Sequence, residues 1–303
     1  MDRRTAIITG ASSGLGHECA RALLHRDASW HVVLAVRDRE RGQAAAERLG
    51  QPERCSVLSA DLASLSSVRR FIADYRDQDL PPARALICNA AVQVISGTRR
   101  TEDGHELTFG VNHLGHFALV QGLLEQLARP ARIIVVSSGT HDPAKRTGMP
   151  VPRYASADRL ALAEGEPEEP IAKLGRRRYT TSKLCNILFA YELERRLGEG
   201  RAGVTVNVFD PGLMPGSGLG RDYSRAQRFV WRFVLPLLRV LPRVHSPRAS
   251  GRHLAALADD GRYEGVSGRY FEGLRAVRSS LDSYDRDKAA DLWQTSEQLL
   301  ASG

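Results

Sequence analysis

A chain of 303 residues with 42% hydrophobic and 26% charged residues can bury a sizeable core, which excludes a disordered or fibrous polymer. The formal net charge of +8 is spread along the chain, and its densest clusters are the short Arg69-Arg70, Arg99-Arg100, Arg176-Arg177-Arg178 and Arg195-Arg196. Scattered cations of this kind read as a solvated surface, so no nucleic-acid partner is expected, although an anionic cofactor or substrate would benefit from the field.

In chain order, Thr5–Thr9 reads as a first buried strand and Leu15–Leu24 as the helix after it. His31–Val36 is a second strand, followed by a helix to about Leu49. Cys55–Ser59 is a short third strand, with a helix near Ser67–Tyr75. Ala83–Cys88 is the fourth strand, and a long helix is predicted over Gly104–Ala128. Arg132–Ser137 is the fifth strand, Tyr179–Leu197 a strong helix, Val204–Phe209 the sixth strand and Gly268–Phe271 a seventh. Strands apolar on both faces and separated by helices predict α/β architecture: a single-domain Rossmann fold, doubly wound around a parallel sheet of about seven strands. Gly139–Lys173, rich in Pro, Gly and charge, reads as a long loop, and Leu213–Val244 is a second irregular segment.

Cys19, Cys55, Cys88 and Cys185 form no CxxC pair, which argues against a zinc or dithiol site. No signal peptide precedes the first strand, and no run of about 18 apolar residues appears. A reducing, cytoplasmic setting is the expectation.

The first strand runs into Thr9-Gly10-Ala11-Ser12-Ser13-Gly14-Leu15-Gly16 and then a helix. Glycines there let the backbone turn tightly and approach a pyrophosphate, while the helix start offers free N–H groups and the positive end of its dipole. A glycine triplet alone is a weak signal; between a strand and a helix of a first βαβ unit it is a strong one. The second strand chooses the cofactor. An acid at its end would hold a ribose hydroxyl and favour NAD, whereas an arginine would pair with a 2′-phosphate. Val36 stands in the acid's place and Arg37 follows, which favours NADP(H).

The TGASSGLG run resembles the glycine motif of the short-chain dehydrogenase/reductase family, and further motifs follow in the family's order. Asp61-Leu62 follows the third strand, where the family holds the adenine, and Asn89-Ala90-Ala91 ends the fourth, with Ala91 in place of the family's glycine. Val111-Asn112-His113-Leu114-Gly115-His116-Phe117 resembles the family's motif on the fourth helix, Ser137-Ser138 ends the fifth strand, and Tyr179-Thr180-Thr181-Ser182-Lys183 is a YxxxK motif. Pro211-Gly212, with Leu213 after it, occupies the place of the family's nicotinamide contact. Within the family the chain is most similar to the retinol dehydrogenase and light-dependent protochlorophyllide reductase branch. The shared features are the long segment between Ser138 and Tyr179, the SKLCN run at 182–186, Ser283-Tyr284-Asp285 and Leu292-Trp293. The protochlorophyllide reductases carry a cysteine where this chain has Leu213, a departure that weighs against photochemistry.

Tyr179 and Lys183 stand four apart, so a helix places both on one face. A tyrosine titrates near pH ~10, and a neighbouring ammonium favours its phenolate. By themselves such pairs are common on surface helices; the glycine turn and the order of motifs make this one a candidate site. The resemblance implies that Tyr179 donates the proton, Lys183 tunes it and binds the nicotinamide ribose, Ser138 (rather than Ser137) holds the substrate oxygen, and Asn112 helps hold a water. His113 and His116 lie three apart with no third ligand nearby, so no metal is expected, and Cys185 reads as a core thiol.

The two irregular segments follow strand ends and are expected to wall the substrate pocket. Phe229–Leu241 is strongly apolar and fits a pocket for a bulky apolar carbonyl or alcohol, a subunit interface in a homo-oligomer, or a membrane-surface contact flanked by arginines. Three functions follow: NADP(H)-dependent carbonyl or alcohol chemistry, a protochlorophyllide-like C=C reduction, and a non-catalytic dinucleotide sensor.

Overall fold

A computed structural model describes residues 3–198, 203–214 and 246–302. Its centre is an eight-stranded sheet in the order β3-β2-β1-β4-β5-β6-β7-β8. The strands are β1 (Arg4–Thr9), β2 (Trp30–Val36), β3 (Cys55–Ser59), β4 (Ala83–Cys88), β5 (Leu127–Val136), β6 (Val204–Asp210), β7 (Arg269–Glu272) and β8 (Arg275–Val277). Pairing is parallel from β3 to β7, and only the short β8 runs antiparallel. All seven residues of β2 are buried, as expected for a strand covered on both faces.

The helices are α1 (Gly14–Arg26), α2 (Arg39–Leu49), α3 (Leu65–Arg76), α4 (Leu107–Phe109), α5 (Gly115–Leu123), α6 (Ala157–Leu162), α7 (Ile171–Gly198), α8 (Pro247–Asp259) and α9 (Arg286–Ala301). One core layer sets α1, α2 and α8 against the sheet; the other holds α3, α5, α7 and α9. In the second layer Phe117, Phe189 and Trp293 form an aromatic cluster, with ring centroids 5.0 to 6.1 Å apart. Burying such a side chain contributes about 1.5–3 kcal/mol.

Several elements differ from the sequence expectation. The helix predicted over Gly104–Ala128 starts at Leu107, where the buried Glu106 accepts a hydrogen bond from the Phe109 N–H at 2.8 Å. It widens into a π-turn at Gly110–Leu114, and the chain has become β5 by Leu127. The predicted loop Gly139–Lys173 contains α6 and the start of α7. Eight residues before Tyr179, α7 is already helical, and its arginine-rich first turns are held by Arg177–Glu169 and Arg178–Glu166 pairs, each at 2.6 Å. The helices α8 and α9 were not anticipated, although Ser246 and Asp285 each cap a first turn with a side-chain oxygen. Phe229–Leu241 lies outside the described residues.

Candidate active site

The C-terminal ends of β1 to β7 open onto one cavity of about 810 Å³. Its first arm is built from backbone. Gly10 adopts φ +67° with the Ala90 Cα 3.0 Å from where a Cβ would stand, and Gly14 adopts φ +60°, so both positions favour glycine. A Cβ on Gly16 would meet the Asn89 Nδ2 at 2.6 Å and the Gly10 carbonyl at 2.9 Å. The turn therefore lies tight against the end of β4. Ser12, Ser13, Gly14 and Leu15 line the cavity and present the start of α1 to it.

Arg37 and Asp38 follow β2 into the same arm, together with Arg41. Asp38 caps α2 by accepting the Arg41 N–H at 3.0 Å, and Arg48 donates to the Ser12 carbonyl at 3.2 Å. Arg48 thus stands at the Ser12 end of the arm. The sequence reading missed Arg41, which borders the same cavity from the first turn of α2. Asp61, Leu62, Asn89, Ala90 and Ala91 complete the lining. This cradle fits a dinucleotide: glycines where backbone must approach, a helix start for the pyrophosphate and cations at the far end.

Gly16 and Asn112 are the predicted site residues that do not border the cavity. Asn112, in the π-turn, is fully buried and committed to backbone. Its Oδ1 accepts the Val92 N–H at 2.8 Å, and its Nδ2 donates to the Val92 carbonyl at 3.0 Å and the Ser182 Oγ at 2.9 Å. Ser182 donates onward to the Tyr179 carbonyl at 2.8 Å. On its other side the Asn112 carbonyl faces the His116 Nδ1 at 3.1 Å, while His116 Nε2 lies 2.9 Å from the Thr9 Oγ1. A carbonyl only accepts, so Nδ1 carries the proton and Nε2 accepts from Thr9. Thr9 in turn accepts the N–H groups of Asn89 and Ala90 at 2.8 and 3.0 Å. One buried network therefore joins the dinucleotide turn to the helix that carries Tyr179.

The second arm brings Ser138, Tyr179 and Lys183 to the cavity, with Pro211, Gly212 and Leu213 beyond them. The neighbouring serines diverge in role. The Ser137 Oγ donates to the Lys183 carbonyl at 2.8 Å, whereas Ser138 caps a short 3-10 turn over Gly139–His141. The Lys183 ammonium is buried, donates to the Val136 carbonyl at 3.2 Å and lies 5.6 Å from the centre of the Tyr179 ring. Burial pulls its pKa down to about 8, and the charge of Asp210 opposes the fall.

Asp210 was missed by sequence reasoning, although it directly precedes Pro211-Gly212. Its Oδ1 accepts the Gly212 N–H at 2.9 Å, and its Oδ2 accepts from the Tyr270 hydroxyl at 2.8 Å and from Lys145 at 3.4 Å. Lys145 also pairs with Glu272. This ionic wall joins segments more than 60 residues apart, and no local pattern announces it.

The remaining candidates go elsewhere. His113 lies 2.8 Å from the Ser296 Oγ and faces Phe117 and Phe189; burial lowers its pKa to about 3, and that of His116 to about 4. Among the described residues no three potential metal ligands cluster. Burial pushes the Cys185 thiol above its ordinary range. No helix among the described residues is long and apolar enough to cross a membrane.

The short chain dehydrogenase family model matches residues 4–157, and the chain belongs to that family of oxidoreductases. It is 35% identical over 306 residues to the WW domain-containing oxidoreductase of Gallus gallus, covering 99% of this chain and 69% of that protein. It is 34% identical over 315 residues to the chloroplastic protochlorophyllide reductase B of Hordeum vulgare, covering 97% of this chain and 78% of the relative. The crystal structure of an uncharacterized protein from Mycobacterium Paratuberculosis superposes with a TM-score of 0.71 at 31% identity, covering 99% of this chain and 94% of the other.

Proposed function

We propose that the chain is an NADP(H)-dependent oxidoreductase that interconverts a carbonyl and an alcohol on a bulky, mainly apolar substrate. The observation that carries this reading is one cavity bordered by Ser138, Tyr179 and Lys183 in one arm and by the glycine turn and Arg37 in the other. NADP(H), when bound, would exchange hydride at its nicotinamide C4. The chain's own residues do the rest. Arg37, with Arg41, takes the 2′-phosphate, and Gly10 to Gly16 take the pyrophosphate. Asp61 and Leu62 flank the adenine, Asn89 to Ala91 the adjoining ribose, and Pro211 to Leu213 the nicotinamide. Tyr179 donates its phenolic proton to the carbonyl oxygen in reduction and takes it back in oxidation. The buried Lys183 ammonium favours the phenolate and also donates to the nicotinamide ribose. Ser138 donates a hydrogen bond to the same substrate oxygen. The Asn112 segment helps hold a water that links Lys183 to solvent.

Val92, Met149, Leu213 and Met214 offer apolar contact to the substrate, beside the Lys145–Asp210–Glu272 wall. The name of the barley relative favours a second reading, reduction of a C=C bond. Leu213 has no acidic proton to give there, so carbonyl chemistry is preferred. A dinucleotide sensor would have no use for the buried ammonium beside Tyr179. The test is a panel of benzaldehyde, larger aromatic ketones and long-chain aldehydes, followed by loss of NADPH absorbance. The expected result is oxidation that is faster with the bulkier carbonyls. No oxidation with any member overturns the reading.

A further inference from the structure

His141 is fully buried, two residues beyond the start of the 3-10 turn that Ser138 caps. Its Nδ1 lies 2.7 Å from the Ser138 carbonyl, which also accepts the His141 backbone N–H at 3.1 Å. Its Nε2 accepts the Ser280 N–H at 3.1 Å. A carbonyl can only accept and an amide N–H can only donate, so both contacts are satisfied by one form alone: neutral imidazole with its proton on Nδ1. Burial lowers the pKa of the ring, in keeping with that form.

Ser280 is itself anchored. The Ser283 hydroxyl donates to the Ser280 carbonyl at 2.6 Å, which leaves the Ser279 hydroxyl to donate to the Ser283 Oγ at 2.7 Å. The Tyr191 hydroxyl, 2.8 Å from the Ser279 Oγ, is then the donor to it. Tyr191 lies on α7, the helix that carries Tyr179 and Lys183. The ring of His141 also packs on Tyr270, 5.0 Å between centroids, and Tyr270 donates to Asp210. At the Ser138 end, the Oγ accepts the Thr140 N–H at 3.3 Å, which leaves its O–H to donate into the cavity.

We propose that His141 is a positioning residue: it clamps the Ser138 carbonyl to the C-terminal segment 279–284 and so fixes the direction of the Ser138 hydroxyl relative to Tyr179. This rests on the reading that Ser138 holds the substrate oxygen. It assigns a task to the serine and tyrosine cluster before α9, which this ring ties to the Ser138 turn. A hydroxyl that swings by about an ångström loses its aim without losing dinucleotide binding, and such misplacement costs on the order of 10- to 100-fold in rate.

The test is a double-mutant cycle with benzaldehyde as the carbonyl probe and NADPH binding measured separately by fluorescence titration. His141→Phe keeps the ring volume and deletes both hydrogen bonds; His141→Asn keeps one donor near the Ser138 carbonyl. The expected result is that kcat falls roughly tenfold or more in His141→Phe and less in His141→Asn, with the NADPH Kd unmoved. In a Ser138→Ala background, adding His141→Phe should cost nothing further, because the clamp acts through the missing hydroxyl. An equal fold loss in both backgrounds, or wild-type kcat in His141→Phe, overturns the proposal. If Ser138→Ala alone keeps wild-type kcat, the failure belongs to the underlying reading of Ser138. A nitrogen NMR spectrum of the wild-type ring gives an arm independent of turnover: a proton on Nδ1 is expected, and a proton on Nε2 contradicts the clamp.

Discussion

The two arms of the cavity are built in opposite ways. The arm around Gly10–Gly16 and Arg37 is made of backbone, with the side chains of Arg37, Asp38 and Arg41 exposed to solvent. The arm around Ser138 and Lys183 is made of side chains that are buried or half-buried and bound on several sides, from Lys183 on the Val136 carbonyl to Asp210 on Tyr270 and Lys145. The first arm needs only close approach and a positive field, which glycines and a helix start supply locally. In the proposed mechanism the second must hold a proton donor and its tuning charge still, and that takes partners from distant parts of the chain.

That contrast can be broken most sharply at Tyr179. Tyr179→Phe removes one oxygen from the second arm and nothing from the first. The expected result is a loss of kcat on the order of 10²- to 10⁴-fold, as for a general acid, with NADPH affinity little changed. A matching loss of affinity would mean that the two arms are not separate. Arg37→Ala is the reverse experiment and a smaller effect. The ratio of kcat/KM with NADPH to that with NADH should fall about tenfold, the order of one charge-assisted hydrogen bond. An unchanged ratio would remove Arg37 from the phosphate site.

The smallest effect concerns the charge balance of the second arm. Burial pulls the Lys183 pKa down to about 8, so its ammonium, and the support proposed for the Tyr179 phenolate, is present below that pH and lost above it. The kcat/KM profile for the carbonyl should therefore descend as pH rises through about 8. Asp210 raises that pKa, so Asp210→Asn should move the descending limb to lower pH. A limb that stays in place would show that Asp210 serves the wall alone.

The same contrast decides what could be read from the sequence. The glycine turn and the place of Arg37 at the cavity were legible because they are set by residues a few positions apart. Tyr179 and Lys183 were legible because a helix fixes their common face, and the parallel sheet followed from strands apolar on both faces. The partners of the second arm were not legible. His141 meets Ser280 across 139 residues, and Lys145 meets Glu272 across 127. The break in the predicted helix at Gly104–Ala128 was hidden for a related reason. Its π-turn is held by Asn112 against the backbone of Val92, a contact that helical periodicity does not encode.

In the proposed reaction this cavity transfers hydride between NADPH and a carbonyl carbon, with Tyr179 as the proton donor. The transfer is tested most directly by incubating the protein with benzaldehyde and NADPH carrying deuterium at both C4 positions, then weighing the benzyl alcohol by mass spectrometry. The expected result is one deuterium on the alcohol carbon with the wild type and almost no alcohol with Tyr179→Phe. Alcohol without deuterium, or equal labelled product from both proteins, would contradict it.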